Sequence, residues 1–210
     1  DVRQILNICS LRDFDRFVRA CAIRSGQLVN KSEIAKDAGI TAVTGNQWLS
    51  VLQASNQISL LEPYFSNLSK RLVKSPKLYF NDSGLLCFLL GLSEQGLQSS
   101  YHLGAVWETF VFSELRKHLL ATPQATLWFY RDRKEEVDFL INLEGKLHLL
   151  ECKWAEQVDQ SAVASLERVR SYFSDLTGNN YLVTRTPTPY PLGQNSRAIN
   201  GFELHELSLD

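Results

Sequence analysis

Asp138, Glu151 and Lys153 are the residues of this 210-residue chain whose types and spacing suggest chemistry. They lie in "EEVDFLINLEGKLHLLECKW", residues 135–154, where apolar and polar positions alternate on both sides of Glu144-Gly145. That pattern predicts two strands joined by a two-residue turn. With Glu144 and Gly145 as the loop, Leu143 faces Lys146. The register then runs outward through Asn142–Leu147, Leu140–Leu149 and Phe139–Leu150 to Asp138–Glu151 and Glu136–Lys153. Directly opposed side chains share a sheet face, with Cβ atoms ~5 Å apart. Two carboxylates then stand side by side with an ammonium next to them, an arrangement that is unfavourable unless something positive lies between the acids. Glu136, opposite Lys153, pairs with it or adds a further acid beside the site. The bland alternative is a half-exposed hairpin with ordinary surface charge. It leaves Asp138, Glu151 and one further acid, Glu108, unexplained together.

Glu108 falls in "GAVWETFVFSELRKHLL", a long helix with Val106, Phe110, Val111, Leu115 and Leu119 at apolar positions. Its neighbours one turn away are Ala105, Val111, Phe112 and, a turn further, Leu115, so a carboxylate interrupts the buried stripe. An ionised group is costly to bury alone. Glu108 therefore either reaches water at the rim or meets a cation. Between this helix and the hairpin, "TLWFYRD" reads as a strand. After the hairpin come a helix over "QSAVASLERVRSYFSDL" closed by Gly178, a strand "NYLVTR", a Pro-rich loop and a last strand, "FELHEL". The order is helix, three strands, helix, strand.

The first eighty residues have a different character. They carry eleven Lys/Arg against six Asp/Glu, while the remainder carries eleven against seventeen. A basic part joined to an acidic one suggests two modules. "FDRFVRACAIRSG" predicts a helix with Phe14, Phe17, Val18 and Cys21 inward, ending on Gly26. In "NKSEIAKDAGITAVTGNQWLSVLQ", Ser32 caps a short helix, Gly39 makes the turn, and Thr41 or Thr44 starts a second helix burying Val43, Trp48, Leu49 and Leu52. A strand, a basic loop with Lys70, Arg71, Lys74 and Lys77, and a second strand complete a winged helix-turn-helix. Its second helix, with Asn46 and Gln47 outward, would meet a DNA groove while the loop rests on phosphate. That helix has no Lys or Arg on its exposed face, so contact would be sequence-independent, or the module binds protein instead. "FNDSGLLCFLLGL", capped by Asp82, reads as a connecting helix.

The order αβββαβ, with a carboxylate on the first helix and Asp…Glu-x-Lys on the second and third strands, resembles the PD-(D/E)XK nuclease superfamily of restriction-endonuclease-like folds. "KRLVKSPKLYFNDSGLLCFLLGL", "GAVWETFVFSELRK" and "RKEEVDFLI…LLECKW" are similar to the C-terminal region of a bacterial and archaeal family of predicted AAA+ ATPases, catalogued as a domain of unknown function. The resemblance implies an α/β chain: a winged-helix module over 1–80, a connection over 81–103 and a nuclease-like domain with a central mixed sheet over 104–210. It implies Mg²⁺ or Mn²⁺ held by Asp138 and Glu151, helped by the Cys152 carbonyl and Glu108. Lys153 would orient or deprotonate the attacking water, and Arg131, Arg133 and Lys134 are the cations available for phosphate. DNA is the implied partner, with an ATPase domain preceding Asp1 in the full-length chain and an oligomer compatible with the family. Val137 stands where the family motif often has Pro. The alternative is a non-catalytic binding module on a nuclease-like scaffold.

Other features narrow the field. The chain has no phosphate-loop motif, so ATP hydrolysis is not expected of it. It contains no Met and opens on Asp, which reads as a piece of something longer. No run approaches the ~20 apolar residues of a membrane span. Four scattered cysteines suggest free thiols in a reducing, cytoplasmic setting.

Overall fold

The computed structural model describes residues 10–65, 75–173, 177–207 and Leu209. These residues form two compact units, one from 10–60 and 75–109, the other from 61–65 and 110 onward.

In the first unit, helix α1 (Leu11–Ala22) starts where the Ser10 side chain accepts the Asp13 N–H, and it buries Phe17, Ala20 and Cys21. Strand β1 (Gln27–Leu28) leads to α2 (Lys31–Ala38), whose cap is Asn30, accepting from Glu33 N. Ser32, expected in that role, lies inside the helix. Gly39 closes α2 at φ 71°, a left-handed conformation that favours glycine. Helix α3 (Ala42–Ala54) begins at Thr41, which accepts from Thr44 N. That start points Gly45, Trp48, Leu49 and Leu52 inward and leaves Val43, expected in the core, 67% exposed. Strands β2 (Ile58–Leu61) and β3 (Lys77–Phe80) join β1 in a sheet of order β1-β3-β2. Helices α4 (Ser83–Leu89, capped by Asp82) and α5 (Glu94–Gln98) follow. Leu86 and Leu89 pack into the same core as Phe17 and Trp48, so the stretch read as a connection is part of this unit. Lys70, Arg71 and Lys74 lie outside the described residues.

Helix α6 (Leu103–Leu119) carries the boundary between units at Thr109/Phe110. In the second unit come β4 (Thr126–Arg131), β5 (Glu136–Leu143) and β6 (Lys146–Cys152). A 3₁₀ turn then precedes α7 (Ala164–Tyr172), β7 (Thr177–Thr184), β8 (Tyr190–Pro191) and β9 (Ser196–Asn200). The six strands form one mixed sheet of order β4-β5-β6-β7-β9-β8. Tight turns make β4-β5-β6 antiparallel, and the helical crossover makes β6 and β7 parallel, as chain connectivity requires. Leu140, Leu149 and Leu182 pack beneath Leu166 and Val169 of α7, while Phe139 stacks on Phe112 of α6. The outer edge of β4 is covered by Pro63 and by Tyr64, whose N–H donates to Phe129 O at 2.7 Å.

Two expectations fail at the chain's end. "FELHEL" is a 3₁₀ helix over Gly201–Glu206, and the strand is the preceding "SRAIN". Gly178 lies inside β7 rather than closing a helix, and a Cβ there would come 2.5 Å from the ring of His148. That ring is fully buried and its Nδ1 accepts the Asn179 N–H. Burial, with Lys146 nearby, lowers its pKa. Gly178→Ala should therefore destabilise the second unit by about 1–3 kcal/mol despite alanine's better backbone entropy. Urea denaturation checks this, and an unchanged or raised midpoint would contradict it.

No helix among the described residues is long and apolar enough to cross a membrane. Cys21, Cys87 and Cys152 are free thiols, and burial, against the pull of Arg24, pushes the Cys21 thiol up to about 12.

Candidate functional site

The β5–β6 hairpin turns at Glu144 (φ 51°) and Gly145 (φ 83°), the two left-handed residues of a type I′ turn. Its register pairs Leu143 with Lys146, Asn142 with Leu147, Leu140 with Leu149 and Phe139 with Leu150. At Asp138 the strand departs from regular pairing. Trp128 of β4 is opposite Leu140 but Tyr130 is opposite Val137, so Phe129 faces the two-residue step Asp138–Phe139. Such a bulge re-aims a side chain, and bulges recur beside active sites. Sequence alternation alone carries no sign of it.

The Asp138 carboxylate accepts the Cys152 N–H at 2.9 Å, crossing to the neighbouring strand. Glu151 Oε1 accepts from Lys153 Nζ at 3.0 Å, and Glu151 Oε2 is buried. Burial of the Lys153 ammonium disfavours its charge, but the Glu151 and Asp138 carboxylates outweigh this and hold its pKa above the ordinary lysine value. Asp138, Glu151 and Lys153 are thus brought within electrostatic reach of one another at the end of β6. An extended residue directs its N–H and C=O the same way, so the Cys152 carbonyl faces the β5 side with Asp138.

The other expected members are placed elsewhere. Glu108 accepts from Lys77 Nζ at 3.1 Å and from Tyr79 Oη at 2.5 Å, all within the first unit. The cation it meets is a lysine of β3. Lys77, read as a phosphate contact, has a side chain only 3% exposed and serves this buried pair. Glu136 bridges to Arg131 at 3.4 Å across β4–β5. Arg133 and Lys134 are exposed on the turn between those strands, where Asp132 accepts the Lys134 and Glu135 N–H groups. On α3, Asn46 and Gln47 are exposed as expected. Among the described residues, no group of three or more His, Cys, Asp or Glu side chains is placed to hold a metal ion.

A hard divalent cation does not need three. Magnesium is commonly bound by one or two carboxylates plus waters and substrate oxygens. Two carboxylates on adjacent strands and a carbonyl match that donor chemistry.

The sequence reading missed Trp154 and Arg185. The guanidinium of Arg185 lies 4.2 Å over the Trp154 ring, immediately after the Glu-x-Lys segment. An aromatic following Glu-x-Lys and an arginine ending the next strand are visible in the sequence, but only the parallel β6–β7 pairing brings them together.

Residues 1–96 match a family described as "Domain of unknown function (DUF8612)", and residues 103–203 match "Domain of unknown function (DUF4143)". Two curated relatives, the uncharacterized proteins Mb2031c of Mycobacterium bovis and Rv2008c of Mycobacterium tuberculosis, are each 34% identical over 130 residues. The match covers 61% of this chain and 29% of each relative. Among solved structures, protein VC1899 from Vibrio cholerae aligns with 98% of this chain and 51% of its own at 20% identity. Its TM-score is 0.35, a likeness too loose to bear on the fold.

Proposed function

We propose that a chain built from these two domains of unknown function is a DNA-interacting module whose second unit is a metal-dependent phosphodiesterase of the PD-(D/E)XK type. The observation that supports this best is the convergence of Asp138, Glu151 and Lys153 at the end of β6, beside a bulge in β5. The order α6-β4-β5-β6-α7-β7 is that of the superfamily's core and favours the same reading. Asp138 and Glu151 would hold Mg²⁺ or Mn²⁺, with the Cys152 carbonyl. Such an ion polarises a phosphodiester and activates a bound water. Lys153 would orient or deprotonate the attacking water and support charge developing on the phosphoryl oxygens.

For the first unit, helices α2 and α3 joined through Gly39 and the sheet order β1-β3-β2 support a winged helix. Its exposed α3 face, with Asn46, Gln47, Ser50 and Gln53, offers polar but uncharged contacts. In this reading the chain is the C-terminal part of an AAA+ ATPase, and the ATPase domain drives the DNA contacts.

The excess of seventeen acids over eleven Lys/Arg after residue 80 favours a second reading, a non-catalytic DNA- or protein-binding module on the same scaffold. Incubating supercoiled plasmid and branched DNA with Mg²⁺ or Mn²⁺ separates the two. Metal-dependent cutting by the wild type that disappears in Lys153→Ala is the expected result. No cutting with either metal would leave the binding module standing.

A further inference from the structure

We propose that Arg185 is the phosphate clamp of the second unit, positioning a DNA strand at the end of β6. This rests on the proposed reading that the unit acts on DNA. The N–H of Lys153 donates to Val183 O at 2.9 Å and the N–H of Arg185 to Ala155 O at 2.8 Å. The β6–β7 ladder therefore continues past both strands, and Arg185 runs alongside the residues just after Glu-x-Lys. Its guanidinium carbon sits 4.2 Å over the Trp154 ring, a contact with the ring face that holds the side chain without using a hydrogen-bond donor. Nε is buried and has no hydrogen-bond partner. That donor is shut off from solvent, so the Nη groups are the ones a ligand would meet.

Among the described residues, the acid paired with it is Glu156, at 3.5 Å and with its side chain 68% exposed. An exposed pair at that distance is weak and exchangeable. Other cations of this unit are engaged more firmly. Arg168 makes a two-pronged contact with Glu135 at 2.5 and 3.0 Å, and Lys153 is bonded to Glu151. A phosphodiester matches what Arg185 still offers: two oxygens for the fork and a negative charge stronger than Glu156's loose hold. Arg185 lies against Trp154 and Ala155, the residues that follow Lys153, so a strand gripped there runs past the end of β6.

The test is fluorescence anisotropy with a short labelled DNA duplex in EDTA, across a KCl series. Arg185→Ala should weaken binding about tenfold and lower the slope of log K against log salt by about one, the loss of one phosphate contact. Arg185→Lys should restore the slope while regaining only part of the affinity, since a lysine keeps the charge but not the fork. Glu156→Gln should tighten binding by removing the competing acid. Unchanged affinity and slope in a folded Arg185→Ala protein overturn the clamp, as does absence of any wild-type binding. Should Arg185→Ala unfold, the lysine and Glu156→Gln variants decide alone: binding unchanged in both overturns the proposal. Binding is read without metal, so a protein that binds through Arg185 but never cuts fails the hydrolytic reading and leaves the clamp intact. A protein that cuts with an unchanged slope does the reverse.

Discussion

Glu108→Ala should destabilise the first unit by about 3–5 kcal/mol, the cost of leaving a buried ammonium without its carboxylate. Lys77 cannot turn to water, because its side chain is 3% exposed and it leaves β3 within the sheet. Tyr79, fully buried next to it on the same strand, loses its acceptor at the same time. The effect belongs to the broken pair and not to the pair's own contribution. A Lys77→Met/Glu108→Leu double substitution should therefore recover most of the loss, since an apolar replacement of similar volume is often neutral or better. Urea denaturation of the single and double variants measures both. A loss under about 1 kcal/mol in Glu108→Ala would mean that the ammonium finds water or another acid. The result also bears on the chemistry, because a Glu108 whose work is structural should show its full effect without any divalent ion.

Lys153→Ala should reduce metal-dependent cutting by about 10²- to 10³-fold, the scale of removing one charge-stabilising group from an active site. Its stability effect should be small, since the Lys153 side chain is 47% exposed. The direction of its titration distinguishes its role. The neighbouring carboxylates hold Lys153 above its unfolded value. A raised lysine contributes stability fully below the unfolded value, and that contribution is lost only as pH climbs through the folded one. In the metal-free protein its charge is constant across about pH 6 to 9, well below the ordinary lysine range. Lys153→Arg should accordingly keep activity within about tenfold of wild type, as a permanent cation in the same place. If instead the arginine variant is as inactive as the alanine one, and wild-type rate rises with the loss of a proton from Lys153, the residue is a base.

How much of this was legible in the chain varies with the range of the interaction concerned. The β5–β6 hairpin was readable from its turn out to Phe139–Leu150, though not through the expected Asp138–Glu151 and Glu136–Lys153 pairs, because Glu144-Gly145 is local turn chemistry and a period of two leaves one register that buries Leu140, Leu147 and Leu149 together. The start of α4 at Asp82 was readable for the same reason, and that of α3 was narrowed to Thr41 or Thr44, because a cap acts within three residues. Even there the cap is Asn30 and not Ser32, since two polar residues two positions apart can both cap and the local pattern does not choose between them. The final strand was misassigned because "FELHEL" alternates like a strand, but the sheet position beside β7 is taken by "SRAIN".

The oddity of Glu108 was visible as a carboxylate in an apolar stripe, and so was its need for a cation. Which cation was a long-range matter. Lys77 lies thirty-one residues away, and only the placement of β3 against α6 within the first unit brought it there. The bulge at Asp138 and the stack of Arg185 on Trp154 belong to the same class, since both depend on a partner strand whose register no local pattern encodes. By itself the sequence determined the short-range features: caps, the turn, the alternation, and the types of residue that could do chemistry. The tertiary structure decided which of those residues meet, because charge pairing and burial depend on distances that chain separation does not set.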